Sequence, residues 1–313
     1  MEDSLITGHT TQGTIGSTGV KVVPPTASAR SREQARDMLG RSERRVDIPV
    51  RKAFVRNDDP EITPPLAQLV GRGGRGGAVP VKLLIALIWR SSAAPYTTTI
   101  SAQQWATLLD LEGPLPNRAR RISKSLELLE ELRLISLERQ HGMPSVVTLL
   151  NESGAGDVYD LPSTQWVRAP QKEKAKHVYL KVPSALWLKG HIQSMSSAAL
   201  AMLLVILAEQ GHQAPGDSRV GTDVWWSTNV FPQRYGLSSS MRARGTKELV
   251  GRRLLIVRKQ LVTPPGSTSS MSSERVRNIY TLINEAVAPH SQAPQAQPKK
   301  ENKQIKKAVK TAQ

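Results

Sequence analysis

Two stretches of this chain, Leu129–Gln140 (LEELRLISLERQ) and Leu249–Gln260 (LVGRRLLIVRKQ), can be laid on each other about 120 residues apart. Arg133, Leu134, Arg139 and Gln140 then face Arg253, Leu254, Lys259 and Gln260. Upstream of the first junction, Arg118–Arg133 (RARRISKSLELLEELR) carries Ile122, Leu126, Leu129 and Leu132 at helical spacing, one apolar stripe. Asn117 is the expected cap of that helix. Downstream, Leu134–Arg139 and Ser145–Leu150 flank a His141-Gly142 turn and read as a hairpin.

The same order of elements surrounds both junctions. The first copy begins with the apolar helix Val81–Trp89 and a short helix at Ser101–Leu109, capped by Ser101. The second begins with Ala198–Gln210, capped by Ser196 or Ser197, followed by Val230–Leu237. Its third helix is Ser238–Arg253 (SSSMRARGTKELVGRR), and its strands are Leu254–Val262 and Arg275–Ile283. Between those strands the polar stretch Thr263–Ser273 (TPPGSTSSMSS) reads as a long wing.

The organisation this predicts is a disordered tail at 1–45, a first domain at 46–152, a linker at 153–175, a second domain at 176–286 and a disordered basic tail at 287–313. The linker reading rests on Gly154, Gly156, Pro162 and Pro170. The tail readings rest on sparse hydrophobics without sustained periodicity.

The formal charge of +17 locates itself unevenly. Residues 176–285 carry +8 and 286–313 carry +5, against +3 for 66–152. A basic balance of this size is the footprint of a polyanionic partner, nucleic acid first. Arg118, Arg120, Arg121 and Lys124 crowd the first half of one helix, and Glu127, Glu130 and Glu131 the second half. That order opposes the helix dipole, which favours acid at the N-terminus and base at the C-terminus. Phosphate contact supplies a reason for it. Between Arg234 and Lys259 eight basic residues stand against the single acid Glu248.

The absence of cysteine excludes a disulfide framework, thiolate metal sites and cysteine nucleophiles. The six histidines are scattered, with none at i, i+3 or i+4 from another, so no local motif points to a metal. No nucleophile motif is present and no cofactor is expected. The N-terminus is acidic and polar rather than a signal peptide. The longest apolar run, Ala198–Ala208, is about half the ~20 residues a bilayer span requires. Cytoplasmic location and no membrane partner are the expectation.

Three helices followed by a two-stranded hairpin, twice, resembles the tandem winged-helix (helix-turn-helix) DNA-binding proteins, and among them the two-domain initiators of plasmid replication. The resemblance covers about residues 66–286 and is one of topology. It implies a mainly helical α+β fold of two winged-helix domains, sequence-specific binding of double-stranded DNA and no enzymatic activity. It leaves room for a homodimer and for replication or transcription machinery as further partners. A transcriptional regulator of the winged-helix class is the alternative, and an RNA-binding or protein-interaction module a further one.

The residues placed in the DNA interface are Arg118, Arg120, Arg121 and Lys124 on the first basic helix, and Ser239, Arg242, Arg244 and Lys247 on the second. Arg258, Lys259, Arg275 and Arg277 join them on the last hairpin. Arginine binds guanine in bidentate fashion, and hydroxyls and helix-terminal amides bind phosphate. Arg275 and Arg277, two apart on a strand, point to one face. Gly71–Gly77 (GRGGRGG) lacks the Gly-Lys-Ser/Thr ending of a phosphate loop and reads as a flexible loop. Trp105, Trp187, Trp225, Trp226 and Tyr235 read as core anchors rather than base-stacking groups. Asp58, Asp59 and Glu61, set among prolines, read as an exposed turn rather than a magnesium site.

Overall fold

A computed structural model of the chain describes residues 24, 27–57, 59, 61–72, 77–210, 223–227, 229–262 and 275–287. The first basic helix, the hairpin after it and the strand before it set the architecture. Helix α3 (Ala78–Arg90) is buried along nearly its whole length, as its continuous apolar sequence requires. Strand β2 (Thr97–Thr98) follows. Helix α4 (Ala102–Leu108) starts at a complete capping box between Ser101 and Gln104. Helix α5 (Leu115–Glu131) then runs into β3 (Ile135–Glu138) and β4 (Val146–Leu149). These strands form one antiparallel sheet in the order β2-β4-β3.

After the short helices α7 (Ala185–Leu188) and α8 (His191–Ser194), the second half repeats this order. Helix α9 (Ser197–Glu209), capped by Ser196, is the apolar helix. An isolated bridge pairs Val224 with Tyr280, where Thr98 pairs with Val147 in the first half. Helices α10 (Val230–Tyr235) and α11 (Ser239–Gly251) lead into β6 (Leu255–Val262) and β7 (Arg275–Leu282). The two junctions share their hydrogen bonds. Leu134 N–H donates to Leu129 O at 2.9 Å, and Leu254 N–H to Leu249 O at 3.0 Å. Arg133 and Arg253, the residues at the turn, both have positive φ, 53° and 57°.

The fold is mixed α+β, about half helical, with small antiparallel sheets. The two halves are joined rather than strung out. Strand β1 (Asp47–Arg51), ahead of the first half, pairs antiparallel with β5 (Tyr179–Pro183), ahead of the second, centred on Pro49↔Lys181. One hydrophobic core runs through both halves and contains Trp89, Trp105, Trp187 and most of α9. Trp89 and Trp187 stack at 5.9 Å across the division. Helix α2 (Pro65–Arg72) packs on α9, and its Ala67 lies against Gly236 at the end of α10.

Three expectations change. Residues 29–40, read as part of a disordered tail, form helix α1 (Ala29–Gly40). Its stripe of Ser31, Ala35 and Met38 was too short and too polar to register as periodicity, yet all three are buried on α4 and the core. Asn117 does not cap α5, which begins two residues earlier with Pro114 at the cap and Pro116 in the first turn. The stretch 153–175 carries helix α6 (Pro162–Arg168) and the buried Tyr159. It is fastened by a buried network. Arg51 pairs with Glu152 and donates to Asp160 O at 2.7 Å and Gln165 Oε1 at 2.5 Å. Of the residues that suggested a linker, Gly154 and Gly156 take positive φ in the turns before Tyr159, and Pro162 opens α6. The stretch Thr263–Ser273 read as a wing, most of the GRGGRGG loop, Asp58, and the tails 1–23 and 288–313 lie outside the described residues.

Candidate nucleic-acid interface

On α5 the outward face of the first three turns presents Arg120, Arg121 and Lys124. All three are exposed and lack an ion-pair partner among the described residues. Arg118 stands apart. It is half-buried, and its guanidinium points to the Leu111 carbonyl at 3.5 Å, so it secures the loop between α4 and α5. The acidic half of the helix has a local purpose. Glu130 accepts from Leu137 N–H at 3.1 Å and pairs with Arg139 at 2.8 Å, tying the helix to its hairpin.

On α11 Ser238 is the cap, accepting from Met241 N–H at 3.2 Å, while Ser239 and Ser240 are exposed in the first turn. Arg244 and Lys247 are exposed without an ion-pair partner among the described residues. Arg242 is half-buried with its guanidinium over the Phe231 ring, 5.1 Å from the centroid. Arg252 is structural. It binds Glu248 at 2.9 Å, Ser194 Oγ at 2.9 Å and Ser194 O at 2.6 Å, and it is buried. The lone acid of the basic cluster is therefore spent on the scaffold.

The register of β6 and β7 divides the hairpin cations by face. Lys259 shares its face with Leu255 and Val257, the side that packs under the helices. Arg258 opposes Ile279, and Gln260 opposes Arg277, on the other face. Arg258 is held there by Asp223 at 2.7 Å, and Asp223 also accepts from Thr281 Oγ1. Arg277 lies over Trp225, 4.3 Å from the ring centroid. Arg275 pairs with Val262 at the end of the ladder. Lys259 is thus the hairpin cation on the side of α11, and Arg258 and Arg277 are turned away from it. Trp225 departs from the anchor reading at 52 % exposed, whereas Trp105, Trp187 and Tyr235 are fully buried and Trp226 is half-buried.

Two further residues belong to the basic surface, Arg133, which the sequence reading did not place there, and Arg253, which it counted only within the basic cluster Arg234–Lys259. Arg133 and Arg253 are exposed at the equivalent turn of both halves, each in a left-handed conformation where glycine would be unstrained. The signal was present in the superposed junctions, which set Arg133 against Arg253. The same superposition sets Lys124 against Arg244, both exposed, and Ser125 against Gly245, both buried. Glu127 stands opposite Lys247.

Behind this surface lies a buried cation. Lys82 of α3 donates to Gln193 O at 2.7 Å across the two halves. Burial, reinforced by the nearby Arg252 charge, pushes its pKa down to about 8. No cluster of metal-ligating side chains occurs among the described residues, and no helix among them is long and apolar enough to cross a membrane. No known family model, curated protein or solved structure matches the chain.

Proposed function

We propose that the protein is a non-enzymatic, sequence-specific binder of duplex DNA built from two winged-helix units, and that it acts in plasmid replication initiation. The observation that carries this reading is the repeated junction. In each half a helix with exposed cations runs through an exposed arginine into an antiparallel hairpin. A helix so displayed is what a major groove accepts, with the flanking turn and hairpin reaching the backbone. Arg120, Arg121 and Lys124 on one helix, and Arg244 and Lys247 on the other, are the groups free to meet phosphate and base edges. Arg133, Arg253 and Lys259 flank them. Arg118, Arg258 and Arg277 have partners within the protein and contribute less.

The initiator reading draws on the tandem layout and its resemblance to two-domain initiators. Transcriptional regulation would use the same surface, and the two are separated by where the sites lie. Selection of bound fragments from random and host DNA tests the proposal. Clustered repeats near an origin support it, and promoter sites favour regulation. Preference for single strands or structured RNA over duplex overturns duplex recognition.

A further inference from the structure

Helix α1 packs on α4 and helps to frame a cleft in the first half. Its first turn is fixed by the Asp110 carboxylate, which accepts from Ser28 N–H at 2.7 Å and from Ser28 Oγ at 2.6 Å. Ser31 Oγ donates to Leu108 O at 2.7 Å. The last turns of α1 then face β2 and the start of α4 across a cavity of about 280 Å³. Arg41, the residue that ends α1, and Arg90, at the end of α3, line it. Neither has an ion-pair partner among the described residues, although Asp37, one turn before Arg41, lines the same cavity. Thr97 and Thr99 add hydroxyls, and Met38 and Ile100 add an apolar surface.

We propose that this cleft binds a small phosphate-bearing ligand of mononucleotide size. Two arginines from separate elements that line one cavity, neither in an ion pair among the described residues, can meet the oxygens of a phosphate. The threonine hydroxyls supply further donors. An ionised Asp37 can only accept, so the ligand must also carry donors such as sugar hydroxyls or a ring amino group. Met38 and Ile100 suit the apolar face of a ring. The volume lies near the small end of the ~300–1,000 Å³ typical of ligand pockets, which excludes large cofactors. The cleft is separate from the cationic faces of α5 and α11, so this proposal does not rest on DNA recognition.

Calorimetric titration of the full chain, without DNA, with AMP, ADP, ATP, pyrophosphate and inorganic phosphate tests it. One saturable site for a nucleotide is expected. Arg41→Ala and Arg90→Ala should each weaken it at least tenfold, and Arg36→Ala, exposed on α1 outside the cleft, should not change it. Asp37→Asn should weaken nucleotide while sparing pyrophosphate. If an alanine variant fails to fold by circular dichroism, Arg41→Lys and Arg90→Lys keep the charge and should bind more weakly than the wild type. Absence of saturable binding at millimolar ligand overturns the proposal. So does binding that ignores Arg41 and Arg90 but is lost on Arg120→Ala with Arg121→Ala. A loss of duplex affinity in Arg90→Ala without any nucleotide binding also overturns it, and makes the cleft a contact for DNA phosphate.

Discussion

Gly245 of α11 lies directly against Ala198 of α9. A β-carbon at position 245 would stand 2.7 Å from the Ala198 carbonyl carbon, closer still to its oxygen, and 2.6 Å from Met202 Cγ. The obstacle is largely backbone, so the helices would have to separate. The gain in helix propensity on replacing glycine, about 1 kcal/mol, is outweighed. Gly245→Ala is expected to destabilise the protein by roughly 1–3 kcal/mol, the usual range for overpacking, read as a lower urea midpoint with little change in m.

Arg253 holds a positive φ that costs a side-chain-bearing residue about 1–2 kcal/mol. Its side chain is exposed, so packing does not explain the choice of residue. Arg253→Gly is expected to leave thermal stability unchanged or raised while duplex affinity falls. Parallel melting and binding curves check this. A variant that loses stability and keeps affinity refutes the assignment.

Arg244 and Arg252 lie two turns apart on or beside one helix with opposite duties. Arg244→Ala should fold normally, weaken duplex binding and lower the salt slope of binding by about 1. Arg252→Ala removes charged hydrogen bonds to Glu248 and Ser194 and should cost about 1.5–3 kcal/mol of stability. Its effect on binding should vanish when only folded protein is counted.

The hairpin offers the same contrast in one strand. Lys259→Ala should lower duplex affinity, whereas Arg258→Ala, breaking an exposed pair with Asp223, should change neither affinity nor stability by more than about 1 kcal/mol. Equal loss of affinity in both variants would show that the two faces of the hairpin are used alike.

Lys82 gives a pH dependence. Its pKa is about 8 in the folded protein against 10.5 when unperturbed. Between those values the unfolded chain holds one more proton, so this group makes stability rise with pH from about 8 towards 10.5. The penalty of burying the charge is complete below pH 8. Urea melts of wild type and Lys82→Met at pH 7 and pH 10 should therefore show a smaller rise, or a fall, in the variant. Identical pH profiles would remove Lys82 as the cause.

The order of helices and strands from Val81 to Leu149, and again from Ser196 to Leu282, was legible because apolar stripes and alternation are local patterns. So were the Ser101 and Ser196 caps and the core roles of Trp105 and Trp187. What joins the halves was not legible. The pairing of β1 with β5 and the bond from Lys82 to Gln193 depend on residues more than a hundred positions apart. Helix α1 escaped notice because its mean character is polar and its burial comes from a neighbour. In the interface, residue type identified the cations but not their neighbours. Arg118, Arg252 and Arg258 look like Arg120 and Arg244 in sequence, and only packing shows which have been claimed by a carbonyl or a carboxylate.

The antiparallel pairing of β1 with β5 is the contact that two identical subunits would make across a dyad. Here both partners belong to one polypeptide. A true homodimer must show the same side chain twice, so any change on one side is copied to the other. This chain is released from that rule, and Glu127 opposite Lys247, or Ser125 opposite Gly245, are differences no homodimer could carry. A partner that spans the two basic helices therefore need not be two-fold symmetric.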